Sequence, residues 1–280
     1  MKAVLSFLQE HAQGDLLPWA AQQAAANHYD RTFGEIEGLA LANGLLPARY
    51  QRNRETISTI DQLQLFGSTV AVIGCGGLGG YIIEQLARLG IGRIIAVDPD
   101  IFEEHNLNRQ LFALPALLGT PKVEAAAMRV ALINPAVNLK PVQRTYDDTN
   151  ARELLSTVQA VADAVHNIPA RLVLARDCNL LGIPLVHGAI AGWYGQVTTQ
   201  FPGEESIEML YAKGGHEGGA ERILGSPAFT PAVIASLQVA EICKILLGKG
   251  ACLRRRVAHF DLLEMETEFI PLPQGGSITL

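Results

Sequence analysis

A β-branched run, Thr69-Val70-Ala71-Val72-Ile73, feeds directly into the turn Gly74-Cys75-Gly76-Gly77-Leu78-Gly79 and then into a helical stretch over 81–89 that Gly90 stops. A second run, Arg93-Ile94-Ile95-Ala96-Val97, follows and ends at Asp98. Neither run alternates polar with apolar residues, so each predicts a strand buried on both faces. Strand, turn, helix and strand in that order make a βαβ unit, whose right-handed crossover puts both strands in one parallel sheet. The chain is thereby restricted to an α/β architecture.

Downstream, Pro121 opens a helix over 122–132. Strands are predicted over 160–162 and 184–187 with a helix over 170–181 between them, and an alternating, antiparallel strand over 195–201. A long helix over 231–247 ends at Gly248, and a hairpin closes the fold over 259–262 and 268–270. The fold class is α/β, a mostly parallel sheet extended by antiparallel strands. Residues 1–46 read as helices, with Val4 and Leu8 on one face and breaks at Tyr29-Asp30-Arg31-Thr32 and Gly44. They form an N-terminal helical extension rather than a separate globular domain. Arg49-Tyr50-Gln51-Arg52-Asn53-Arg54 reads as a basic connector, and residues 273–280 as a mobile tail.

Nearly half of the 280 residues are apolar, enough for a sizeable core. A net charge of −6 argues against a general binder of nucleic acid or anionic membrane. The apolar run after Met1 is too short for a signal peptide, and no run approaches the roughly 20 apolar residues of a membrane span. Cys75, Cys178, Cys243 and Cys252 are scattered, with no C-x-x-C pair. That predicts reduced, mostly buried thiols in a cytoplasmic protein, with no zinc site and no disulfide framework.

The glycine turn, placed between a strand and a helix, is suited to a phosphate. Gly74 permits the tight turn, Gly76 lets a phosphate approach the backbone, and Gly79 permits close packing of helix on strand. The helix N-terminus adds unpaired N–H groups and partial positive charge. Asp98, 24 residues after Gly74, stands where a carboxylate accepts from ribose hydroxyls. This much would suit a dinucleotide. Two cations follow, however: Arg109, in Asn106-Leu107-Asn108-Arg109-Gln110, and Lys122, in Gly119-Thr120-Pro121-Lys122. Extra cations suit β- and γ-phosphates, so a nucleoside triphosphate is the better fit.

These residues, with Asn167, Arg171 and Ser236-Leu237-Gln238, resemble the ThiF/MoeB/HesA family over residues 47–272. The family comprises bacterial relatives of ubiquitin-activating enzymes. The resemblance implies a Rossmann-like sheet, a homodimer, and ATP-dependent adenylation of the C-terminal glycine of a small ubiquitin-like sulfur-carrier protein. It places the ribose at Asp98, and the phosphates over Gly74, Gly76, Gly77 and Gly79 and near Asn106, Arg109, Gln110 and Lys122. Arg52 matches an arginine that reaches into the partner subunit's site, so Arg52, Arg109 and Lys122 form the implied catalytic set; a solvated linker arginine is the competing reading of Arg52. Apolar residues on 81–89 and 107–118 are the expected dimer interface.

The chain also departs from the family. The register set by Asn167 and Arg171 puts His166 where the family has an aspartate that holds Mg²⁺ at the α-phosphate. Imidazole is a poor ligand for Mg²⁺, although a protonated ring can contact phosphate directly. Asp163 lies three residues away on the other side of the strand. No metal ligand is therefore assigned. Both family C-x-x-C pairs are missing, so no zinc is expected. The stretch from Gly214 to Glu221 has no cysteine and fits either a crossover loop over a carrier's tail or a segment without fixed structure. His187 reads as a structural histidine, and Trp193 and Tyr194 as either a frame for that tail or ordinary packing. Two rivals to an active adenylating enzyme stand: a nucleotide-binding pseudoenzyme, on account of His166, and an NAD-linked oxidoreductase, which explains neither Arg109 nor Lys122.

Overall fold

The computed structural model describes residues 1–211 and 221–272. Most of the stretch from Gly214 to Glu221 and the tail at 273–280 lie outside the described residues. The extension consists of α1 (Lys2–Glu10), β1 (Leu16–Leu17), α2 (Trp19–Tyr29), α3 (Phe33–Ala42) and β2 (Leu46–Pro47), the two short strands pairing in parallel. Thr32 and Glu35 form a reciprocal capping box that starts α3. Val4, Leu8, Leu17, Ala25, Ile36 and Ala40 give the extension a small core of its own.

A 3-10 turn, Ala48–Asn53, and α4 (Thr59–Phe66) lead into the sheet. The basic connector is therefore helical, with Tyr50 buried, Arg49 half-buried and Arg52 exposed. Arg49 pairs with Glu37 of α3 at 3.4 Å, bonds to Gln22 of α2 at 2.8 Å and reaches Asn134. The Tyr50 hydroxyl donates to Glu37 at 2.6 Å. A buried carboxylate needs such partners.

The first half of the sheet runs β3 (Thr69–Ile73), α5 (Gly77–Leu89), β4 (Arg93–Val97), α6 (Lys122–Ile133) and β5 (Asn138–Val142). Then come α7 (Ala151–Leu155), β6 (Ala160–Asp163), α8 (Ile168–Leu181), β7 (Leu185–Ala191) and β8 (Tyr194–Gln200). The chain closes through α9 (Ser206–Tyr211), α10 (Glu221–Leu224), α11 (Phe229–Leu247), β9 (Arg256–Asp261) and β10 (Glu266–Pro271). The eight strands lie in the order β10-β9-β8-β7-β6-β3-β4-β5. From β7 to β5 they are parallel, and β8, β9 and β10 continue the sheet antiparallel. β5 carries little strand signal, being polar and holding Pro141. It forms at the sheet edge, the position that tolerates a proline.

Alternate residues of the central strands feed two cores. Val70, Val72, Ala96, Ala162 and Val186 meet α5, α6 and α11 on one face. Ala71, Ile73, Val97, Val161 and Leu185 meet α7 and α8 on the other. Ile82, Ile83, Leu86 and Ala87 are spent on the first core, so 81–89 offers little apolar surface to a second copy, whereas Leu114 and Leu118 remain exposed. α11 corrects another expectation. At 19 residues it is long and apolar enough to cross a membrane, yet Ile234, Ala235, Val239 and Ile242 are core residues here, packed on α5 and the β7–β8 pair.

Candidate functional site

The crevice opens at the C-terminal ends of β3, β4 and β6, where the strand order turns back between β3 and β6. Ligands of open α/β sheets bind at such switch points. Two walls face each other there.

The first wall is the glycine turn and the loops after β4. Gly74 has φ +97°, and a Cβ on it would run into the Ala164 carbonyl; a Cβ on Gly79 would run into the carbonyl of Gly74. Gly76 is different. A Cβ there would meet only the Gln110 amide, at 3.5 Å, so the chain's own packing does not demand a glycine. The position is bare beside the N-terminus of α5, which no side chain caps. Gln110 is buried against it, its Oε1 without a hydrogen-bond partner among the described residues.

Asp98 is buried at the end of β4. Its carboxylate accepts the N–H of Cys75 at 2.6 Å and that of Asp100 at 2.8 Å, tying the strand end to the turn. Lys122, the first residue of α6, is only 6% exposed, and its ammonium makes one hydrogen bond among the described residues, to Asp100 Oδ2 at 2.9 Å. An ammonium has three donors, so a buried lysine with one partner has capacity for an anion. Arg109 is half-buried, its stem beside Gly77 and its Nη1 donating to the His105 carbonyl and Asn108 Oδ1, both at 3.0 Å. Asn106 is buried, its Oδ1 accepting the Glu103 N–H at 2.9 Å. An uncapped helix terminus, a bare Gly76 and donors left over on Lys122 fit a nucleotide phosphate chain.

The second wall is the turn after β6. Ala164 donates its N–H to the Ile73 carbonyl and lies against Gly74, so this turn leans on the first wall. His166 is exposed on it, and Asn167 caps α8 by accepting the Ala170 N–H at 2.8 Å. Behind His166 lies a buried polar network. Asp163 Oδ2 accepts from Arg171 Nε at 2.8 Å and His187 Nδ1 at 2.7 Å, while Oδ1 accepts the Val165 N–H at 3.1 Å. Arg171 also donates to the Val165 carbonyl and to the Tyr211 hydroxyl, both at 2.7 Å. Burial pushes the Asp163 carboxyl up, but Arg171 and the hydrogen-bonded His187 more than reverse this, holding it below its usual pKa. Burial, aided by Arg171, pushes the His187 imidazole below its usual pKa. His187 is thus the satisfied structural histidine the sequence suggests.

The turn thus brings together Gly74, Gly76, Gly77, Gly79, Asp98, Arg109, Gln110 and Lys122, with His166 on the facing turn. Arg52 stands apart. It is exposed on the 3-10 turn and makes no hydrogen bond or ion pair among the described residues. Trp193 and Tyr194, in the β7–β8 turn, are partly exposed, and Trp193 packs on Phe229 with centroids 4.5 Å apart. No group of three or more His, Cys, Asp or Glu side chains that could hold a metal occurs among the described residues. Sequence reasoning sets Asp163 aside as a metal ligand without giving it another role, and misses Tyr211 and Gln196. A carboxylate closing an otherwise apolar strand, in register with His187 on the next, signals Asp163; Tyr211 and Gln196 have no such signal.

A family model described as the ThiF family matches residues 50–276. The chain is 35% identical over 227 residues to the SAMP-activating enzyme E1 of Haloferax volcanii, covering 80% of this chain and 84% of that one. It is 34% identical over 211 residues to the sulfur carrier protein adenylyltransferase of Thermus thermophilus, covering 72% and 78%. With the adenylyltransferase and sulfurtransferase MOCS3 of Arabidopsis thaliana it shares 32% over 240 residues, spanning 83% of this chain but only 52% of that protein. Among solved structures, Escherichia coli MccB with ATP superposes with a TM-score of 0.68 at 17% identity, covering 92% of this chain and 84% of that one. PaaA superposes with a TM-score of 0.68 at 20% identity, covering 80% and 82%. Both likenesses establish the fold alone.

Proposed function

This chain belongs to the ThiF family, and we propose that it is an ATP-dependent adenylyltransferase acting on the C-terminal glycine of a small ubiquitin-like sulfur carrier. The observation that carries the reading is Lys122, a buried cation with one partner among the described residues, at a helix N-terminus beside a bare glycine turn. Two relatives named for activating SAMP and for adenylylating a sulfur carrier support extending that substrate class to this chain.

In the proposed reaction a carboxylate oxygen of the carrier attacks the α-phosphorus, the bond to the bridging oxygen breaks, and acyl adenylate and pyrophosphate result. Negative charge grows on the departing pyrophosphate. Lys122 and Arg109 meet that charge as fixed donors, and removing such a donor costs about 10²–10³-fold in rate. Asp98 takes the ribose hydroxyls. Arg52, unpaired among the described residues, completes the site of a second copy, so the proposal includes a homodimer working in the cytoplasm.

A second reading, the pseudoenzyme, is favoured by His166: the turn from 164 to 167 presents an imidazole and no carboxylate to the crevice. ATP–pyrophosphate exchange in the presence of a glycine-ended carrier separates the readings. Carrier-dependent exchange supports the enzyme. Measurable ATP affinity without exchange supports the pseudoenzyme, and tighter binding of NAD than of ATP overturns both.

A further inference from the structure

Tyr211, the last residue of α9, is the hub of the buried network behind His166. Its hydroxyl lies 2.7 Å from Arg171 Nη1, 3.1 Å from Gln196 Nε2 and 3.1 Å from His187 Nε2. Arginine and the glutamine amide nitrogen only donate, so the phenol oxygen accepts twice and its own proton goes to His187 Nε2. That assignment leaves His187 Nδ1 as the donor to Asp163, so one tautomer satisfies every bond. Arg171 and Asp163 then grip the Val165 backbone at both its carbonyl and its N–H. The next residue is His166. The residue before is Ala164, wedged against Gly74.

A buried ion pair is a weak source of net stability, because desolvation offsets much of its attraction. What this one delivers is a single placement of Val165. We propose that Tyr211 is a positioning residue of the nucleotide site, fixing through Arg171 and Asp163 the direction in which His166 faces the phosphates. The inference rests on the reading that a nucleotide occupies the glycine turn. It extends that site to α9, whose Tyr211 lies behind the second wall rather than on the turn that carries His166.

The test is Tyr211→Phe in the full chain, which keeps the ring beside Arg171 and edge-on to His187 and removes one oxygen. The readouts are ATP affinity by calorimetry, the NMR resonance of the His166 ring during ATP titration, and pyrophosphate exchange. In the native chain ATP moves a single His166 resonance. In the variant that shift falls by half or more and the exchange rate falls roughly tenfold, as for a group misplaced by under about 1 Å. ATP affinity and the KM for ATP stay within about twofold. Gln196→Leu, which removes a donor to the same phenol but leaves the Arg171 arm intact, leaves the His166 response unchanged. An unaltered His166 response in Tyr211→Phe overturns the inference, as does an equal loss in Gln196→Leu or a parallel fall of affinity and rate. If the native chain shows no exchange yet His166 responds to ATP and Tyr211→Phe blunts that response, the adenylation reading fails and the positioning role stands.

Discussion

The two walls of the crevice use different materials for neighbouring tasks. The wall after β3 and β4 is made of backbone and of charges left with spare capacity: an uncapped helix terminus, a bare Gly76 and a lysine with one partner. The wall after β6 is backed by side chains whose polar groups are consumed by one another, with His166 exposed on the turn in front of them. Open capacity suits holding a ligand; a closed network suits holding a residue still. On this account ATP affinity resides mainly on the first wall and turnover on the second.

The largest expected effect concerns the closed network. Arg171→Met leaves Asp163 buried without its cationic partner, and should cost about 3–5 kcal/mol of stability. For a chain of this size that is roughly 6–20 °C in Tm, measurable by calorimetry. A loss below 1 kcal/mol would mean that water reaches the network and that the second wall is not closed.

Next comes the first wall. Lys122→Ala should weaken ATP binding by about 1.5–3 kcal/mol, the worth of a charge-assisted contact, with little change in Tm. Unchanged affinity by titration would remove Lys122 from the site and with it the contrast between the walls.

A smaller effect is set by pH. The His187 pKa is lowered in the folded protein, so below about 6.5 only the unfolded chain takes up the proton. Stability is lost as pH falls through that value, by up to about 1.4 kcal/mol per pH unit. The Asp163 pKa is also lowered, so its contribution is present above about 3.9 and lost only on further acidification. Denaturant titrations between about pH 7.5 and 5 should therefore show a slope that His187→Gln reduces. An identical slope in the variant would place the proton uptake elsewhere.

The first wall was legible because its chemistry is local in sequence. A glycine turn between two buried strands, then Asp98, Arg109 and Lys122 within one crossover, can be read along the chain. The second wall was not, because its partners come from β6, α8, β7, β8 and α9 and meet only in three dimensions. β5 was hidden for another reason: an edge strand needs few apolar residues and tolerates Pro141, so it lacks the pattern that betrays a central strand. Around residues 49–54 the basic run gave no sign of which arginine is held: Glu37 and Gln22 of the extension pull Arg49 inward and leave Arg52 outside.

The division of labour between the walls is tested most directly at His166. ATP titrations with and without Mg²⁺, and pyrophosphate exchange on the same samples, should be compared between the native chain and His166→Asp. The account predicts measurable native affinity with slow exchange that depends little on Mg²⁺. In the variant affinity should stay within about threefold, while exchange becomes Mg²⁺-dependent and about tenfold faster, a barrier change of about 1.4 kcal/mol. Fast exchange by the native chain, with no gain in His166→Asp, would contradict it.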